Sequence, residues 1–185
     1  IISTVGNGVI HLQKSQAAGS YGSNYGLFVS ADGLQLKEVN RRAEIDATGT
    51  MCTEGIIKGN EKGGFVCMDE TARKMLPYNK EYELKEGKYP GGTQEIAAGR
   101  AFFSEMGYDD VKVGDTVTLD YRAGMQSEYK PEEFVVSGIL YDRDEYTIEA
   151  SYVAFGSQEF YDEHVAENDR QYNICLLYTS PSPRD

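Results

Sequence analysis

The sequence predicts an α+β domain, and three observations lead there. Short β-branched or alternating runs bounded by glycine recur along the chain, as half-buried strands require. Between them lie short helical stretches, several opened by a residue able to cap them or closed by glycine or proline. Hydrophobic content of 40% beside 26% charged residues is ordinary for a globular chain with a core. At 185 residues the chain fits one domain or two small ones. A chain of this size buries roughly two thirds of its unfolded surface.

Gly8 to Lys14 alternates Val9, His11 and Gln13 against Ile10 and Leu12, a period-two strand signal. His11 reads as a strand-surface residue and not as a metal ligand. Gly19 to Gly26 is rich in Gly, Ser and Tyr and reads as a loop. Tyr21 and Tyr25 within it form either an adaptable contact surface or plain solvated loop. Asp32 is placed to cap a helix running through Arg42, with Leu34, Leu36 and Val39 as its apolar stripe. Ala43–Lys58 and Gly64–Met68 read as strands flanking the turn Gly59–Gly64. Asp69 caps a short helix, ETARKM, that ends before Pro77.

Glu83 to Leu119 is the stretch around which the rest is organised. Gly87, Pro90, Gly91 and Gly92 punctuate a turn. Thr93–Ala97 is strand-like, and Gly99–Met106 gives a short helix with Ala101, Phe102 and Met106 on one face. Gly107 sits where a left-handed backbone ends a helix. Val113-Gly114-Asp115 then turns the chain into the β-branched start Thr116–Leu119. Asp120–Lys130 reads as a polar loop, in which Tyr121 and Tyr129 are candidates for an interaction surface. Glu133–Leu140 is a strand with Phe134 and Val136 opposed to Val135. After an acidic turn at Asp142–Thr147 come a strand, Ile148–Phe155, and an amphipathic helix, Ser157–Val165, burying Phe160, Tyr161 and Val165.

A net charge of −12 argues against nucleic acid or an anionic membrane surface as partner, because both repel it. No apolar run reaches the roughly 20 residues of a membrane helix. Residue 1 is not Met, and the chain reads as cut from something longer. No nucleophile motif, zinc motif, paired-cysteine motif or phosphate loop is present, and Gly59–Gly64 lacks the Gly-Lys-Ser/Thr ending of a phosphate cradle. Asp142 and Asp144 lack the glycine and closing glutamate of a calcium loop, and they and Asp109–Asp110 read as turn residues. The expectation is no catalytic residue, no cofactor and no metal.

Leu84, Gly87, Tyr89-Pro90, Glu95-Ile96-Ala97 and Val113-Gly114-Asp115, in that order, resemble the extracytoplasmic core domain of FtsX-like, MacB-type ABC transporter permeases. Upstream, GSYGSNYGLF and DGLQLKEVNRRAEID resemble that family's first strand–helix passage. Downstream, EFVVSGILYD and SYVAFGSQEFYDEH resemble its later strands and helix. The resemblance implies an α+β periplasmic core of residues 1–174. A porter-like lobe would take about 1–42 and 82–174, with a second lobe inserted at about 43–81. It also implies a place on the extracytoplasmic side of the cell membrane, between two membrane helices outside this sequence. The implied partners are a cytoplasmic ABC ATPase acting through those helices, a second permease copy, and an extracellular substrate or protein. The domain would transmit ATPase-driven motion and perform no catalysis itself. A free-standing extracellular binding module on a similar scaffold is the alternative.

Residues 175–185, CLLYTSPSPRD, resemble a translated sequencing adaptor and are expected to lie outside the fold, any strand there merely continuing one begun near Tyr172. Setting them aside leaves Cys52 and Cys67. If Gly59–Asn60 makes a two-residue turn, residues whose numbers sum to 119 face each other, and these two do. A location outside the membrane would permit a disulfide. A turn centred on Glu61–Lys62 would separate them, and two small buried thiols are the alternative.

Overall fold

The computed structural model describes residues 28–43, 45–75, 82–142 and 152–178. In chain order its elements are β1 (Phe28–Ala31), α1 (Gly33–Val39), β2 (Ile45–Ile57), β3 (Gly64–Met68), α2 (Glu70–Met75), β4 (Leu84–Gly87) and β5 (Glu95–Gly99). There follow α3 (Arg100–Glu105), β6 (Thr116–Arg122), β7 (Lys130–Leu140), β8 (Val153–Phe155), α4 (Gln158–His164), a 3-10 turn (Glu167–Asp169) and β9 (Tyr172–Tyr178). The fold is α+β. Its residues form two compact units, with β2 changing unit between Met51 and Cys52.

The first unit comprises β1, α1, the start of β2, α2 and β9. β9 lies between two antiparallel neighbours, pairing Ile174 with both Val29 of β1 and Thr50 of β2. Asp32 caps α1 by accepting from the Leu34 and Gln35 N–H groups at 2.9 and 2.8 Å, while Gln35 Oε1 accepts from the Asp32 N–H at 3.0 Å. This reciprocal arrangement satisfies donors that the helix start leaves open. Leu36 and Val39 pack toward Ala31 and Ile174. Leu34 is 77% exposed, so the expected apolar stripe loses its first member. Asp69 opens α2 as expected, accepting from the Ala72 N–H at 2.7 Å.

The second unit is built on a closed circuit of strands. From Cys52 onward β2 neighbours β3; β3 runs parallel to β8, β8 antiparallel to β5, and β5 parallel to β7. β7 pairs antiparallel with β6, and β6 returns to β2 through Ile56↔Arg122 and Ile57↔Tyr121. Closure leaves these six strands no free edge, the position from which sheets slip or aggregate. β4 adds outside the circuit on the far end of β7. The core holds Phe65, Phe134 and Phe160, with ring centroids 5.3–5.8 Å apart, together with Phe102, Phe103, Ile96 and Ile139.

The stretch from Ile45 to Met75 is shared between the two units. Residues 52–68 belong with the later strands because β3 finds its second partner in β8, and α2 and β9 belong with the first unit. The strand begun at Tyr172 runs on into the tail. Cys175 to Tyr178 continue β9 and pair along β2 from Gly49 to Ile45. They extend the strand begun at Tyr172, and their backbone groups are part of the sheet.

The organising stretch has a bond at each joint. Glu95 Oε2 accepts from the Gly91 and Gly92 N–H groups at 2.7 and 2.9 Å, and its Oε1 lies 2.8 Å from Lys88 Nζ. Gly99 precedes α3 without a capping side chain, and Asp142 supplies one from a distance, its Oδ1 accepting from the Ala101 N–H at 2.9 Å. α3 ends with Gly107 at φ +88°, its N–H donating to Ser104 O while the Tyr108 N–H donates to Phe103 O. That double bond pattern is the Schellman close, which the left-handed glycine makes possible. Phe102 and Phe103 are the face of α3 that is buried; Ala101 and Met106 are only partly covered.

Candidate functional site

Two polar assemblies lie in the second unit. The first is at the surface, where the β6–β7 hairpin meets the β2–β3 turn. Arg122 holds its guanidinium 4.6 Å above the Tyr129 ring and donates from Nη1 to Met125 O at 3.3 Å. Tyr129 OH donates to Glu61 Oε1 at 3.4 Å, and that oxygen also accepts from the Gly59 N–H at 3.0 Å. The Gly59 bond, aided by Tyr129 and Arg122, holds the Glu61 carboxyl below its ordinary range. Met125 projects from the hairpin at 72% exposure. An aromatic ring, a guanidinium and a thioether so grouped form a surface suited to a partner's chain.

Of the residues expected to form an interaction surface, Tyr129 is therefore partly exposed and belongs to this assembly. Tyr121 does not. It is 3% exposed, and its hydroxyl donates to the Glu54 backbone oxygen at 2.6 Å. Asp120–Lys130 was expected to be a loop, but β6 continues to Arg122. Val117, Leu119 and Tyr121 alternate inward while Thr118 and Asp120 face out. The polar residues that suggested a loop are the solvent face of a strand. Tyr21 and Tyr25 lie outside the described residues.

The second assembly is buried, and its glutamate was not anticipated. Glu54 has no exposed surface, and neither carboxyl oxygen has a hydrogen-bond partner. A Cβ on Gly156 would sit 1.9 Å from Glu54 Oε2, so the carboxyl is packed against that glycine's backbone. Cys67 lies beside it, with its thiol 3.5 Å from Gln158 Oε1. Burial, and secondarily Cys67, pushes the Glu54 carboxyl up to about 10, so it is carried protonated at neutral pH. Cys52 and Cys67 are free thiols, both buried. The neighbouring Cys52, and after it burial, push the Cys67 thiol up. Burial also raises Tyr121, with Glu54 as the next cause. The sequence carried one signal for Glu54: it lies two residues from Cys52 on a strand, hence on the same face.

His164 ties α4 to β7. Its ring stacks on Phe160 at 3.8 Å, its Nδ1 donates to Phe160 O at 2.9 Å, and its Nε2 lies 3.7 Å from Glu132 Oε1. Asp109 accepts from the Ser104 hydroxyl at 2.6 Å, and Asp142 caps α3, so these carboxylates have local structural bonds. Among the described residues no group of three or more His, Cys, Asp or Glu side chains is arranged to hold a metal ion. No described helix is long and apolar enough to cross a membrane.

No protein-family model matches the chain. The search of curated proteins gives no match either. Among solved structures, the chain is similar to a domain of a protein assigned as a permease from Porphyromonas gingivalis, with a TM-score of 0.46 and 16% sequence identity. The match covers 84% of this chain and 71% of that one.

Proposed function

We propose that the chain is the extracytoplasmic domain of an FtsX-like ABC transporter permease, carrying ATPase-driven motion to a substrate or protein partner outside the membrane. What supports the reading is the Glu83–Leu119 stretch. The residues that resemble the permease family's central phrase are those that fix the joints: Gly87 at φ +78°, Glu95 closing the Gly91–Gly92 turn, and Gly114 at φ +97° before β6. A body meant to move as a lever needs such fixed joints and strands that do not slip, and the six-strand circuit suits that task. In this reading the domain has no catalytic residue and no cofactor. The ATPase hydrolyses nucleotide on the other side of the membrane, and the permease works as a dimer. The contact surface is the Arg122–Tyr129 hairpin with its exposed Met125.

The test is to rebuild the full permease with its ATPase and replace residues 123–128 with a short turn. Transport or partner activation is expected to fall at least tenfold, while assembly, folding and nucleotide hydrolysis persist. An isolated chain that turns over a small substrate, or a permease that works without this domain, would contradict the proposal.

A further inference from the structure

The exposed connection between β6 and β7 holds a methionine at both its backbone and its sulfur. The Ser127 N–H donates to Gly124 O at 3.1 Å, closing a turn from Gly124 to Ser127 in which Met125 stands second. Arg122, the last residue of β6, reaches over that turn. Its Nη1 donates to Met125 O at 3.3 Å, and its Nη2 donates to Met125 Sδ at 3.7 Å. The guanidinium is itself held in place. It lies 4.6 Å above the Tyr129 ring, the Tyr129 hydroxyl is tied to Glu61, and the Arg122 Nε is buried.

A thioether sulfur is a weak acceptor, and it is the atom that oxidants convert to a sulfoxide. Donation from Nη2 engages one of its two lone pairs and sets the guanidinium against that side. The other is left to solvent, because Met125 is one of the most exposed apolar side chains among the described residues. Met68 is buried, and Met51 and Met106 are partly covered, Met106 by packing against the core. The two lone pairs are therefore inequivalent. Oxygen added to one or the other gives opposite configurations at sulfur, and each configuration is reduced by its own enzyme. A methionine that turns freely gives both in near-equal amounts; one screened on one side gives mainly one.

We propose that Met125 is a reversible sulfoxidation site, and that Arg122 is the positioning group that directs oxygen to one side of its sulfur. The oxidant is a hydroperoxide, hydrogen peroxide in the simplest case. The open lone pair of Sδ attacks one peroxide oxygen, the O–O bond breaks, and the departing hydroxide takes the proton carried by the transferred oxygen. Sulfur gives up two electrons, and the peroxide ends as one sulfoxide oxygen and one water. A thiol-dependent reductase reverses the step, two thiols becoming a disulfide while the oxygen leaves as water. Oxidation exchanges an apolar side chain at the tip of the hairpin for a polar, chiral one. A sulfoxide oxygen is also a better partner for the guanidinium than the sulfur was. On the reading of this hairpin as the contact surface, oxidation weakens the partner's hold and lowers transmission.

The experiment treats the whole chain with hydrogen peroxide, once folded and once unfolded in urea, and digests both. Sulfoxide peptides are separated by chromatography and assigned with the two epimer-specific reductases. In the folded chain Met125 is expected to oxidise ahead of Met51, Met68 and Met106, with one epimer in about threefold excess, a bias that the unfolded chain lacks. Arg122→Leu, which keeps an apolar stem and removes the donors, should bring the ratio close to even. Oxidation of Met125 no faster than that of Met68 would overturn the site. The same epimer ratio in folded and unfolded chains would overturn the role of Arg122. The consequence is read in the reconstituted permease with its ATPase. There peroxide should lower transport or partner activation about threefold, the reductases should restore it, and Met125→Leu should resist the treatment. Undiminished transport with Met125 fully oxidised, or an equal loss in Met125→Leu, would overturn the regulation. Replacement of residues 123–128 tells that failure apart from failure of the contact surface, since transport then still falls.

Discussion

Glu54 shows what a single residue does to the molecule's response to pH. Its folded-state carboxyl is raised from an ordinary 4.5 to about 10, so the folded chain binds a proton that the unfolded chain gives up. Stability therefore falls as pH rises from about 4.5 toward 10, at a cost of about 3 kcal/mol by pH 7. Glu54→Gln should flatten this slope, and Glu54→Met should also raise the melting temperature at neutral pH; chemical denaturation at several pH values reads both. Glu95 has the opposite sign. The salt bridge from Lys88, with the Gly91 and Gly92 N–H groups, lowers its carboxyl to about 2. Its contribution is full above about 4.5 and is lost as pH falls toward 2, so Glu95→Gln should remove acid sensitivity and leave the alkaline side alone. Gly107→Ala is a purely backbone test, because φ is +88° and nothing lies within 4 Å of an added Cβ. It should cost about 1 kcal/mol in urea unfolding. Gly107 was legible in the sequence because a glycine after an apolar helical run has few other uses. Glu54 was not, because a glutamate in a polar-looking strand reads as solvent-facing until the strand has neighbours on every side.

Elements were legible where local chemistry decides them. Asp32, Asp69 and Ser157 each begin a helix because a side-chain oxygen can meet N–H groups of the first turn, and all three do. Strand ends were less legible. β6 runs past Asp120 because pairing with β7 extends through Tyr121↔Lys130, a partner that the local sequence cannot reveal. β9 gives the sharpest test at this scale. Removing residues 179–185 should leave stability within about 0.5 kcal/mol, the range of neutral surface changes. Removing Cys175 to Tyr178 as well takes away the pairing with β2 from Gly49 to Ile45, and the first unit's unfolding transition should shift well beyond that range. An unchanged transition in the longer deletion would mean that the strand contributes nothing beyond Ile174.

At the scale of the whole molecule, the sequence indicated an α+β chain and the order of its pieces, but not the division into units. That division follows from β3 pairing with β8, between residues more than eighty positions apart, for which no local pattern exists. The transmission proposal belongs at this scale too. A domain tied to membrane helices must change its surroundings when a cytoplasmic ATPase binds nucleotide, and that requires different contacts in the two states. The most direct measurement places a spin label at Met125→Cys in the reconstituted permease dimer with its ATPase, after Cys52, Cys67 and Cys175 are replaced. Inter-label distances are then compared with and without ATP. The account predicts a nucleotide-dependent shift in that distance distribution. An identical distribution in both states, with hydrolysis intact, would contradict it.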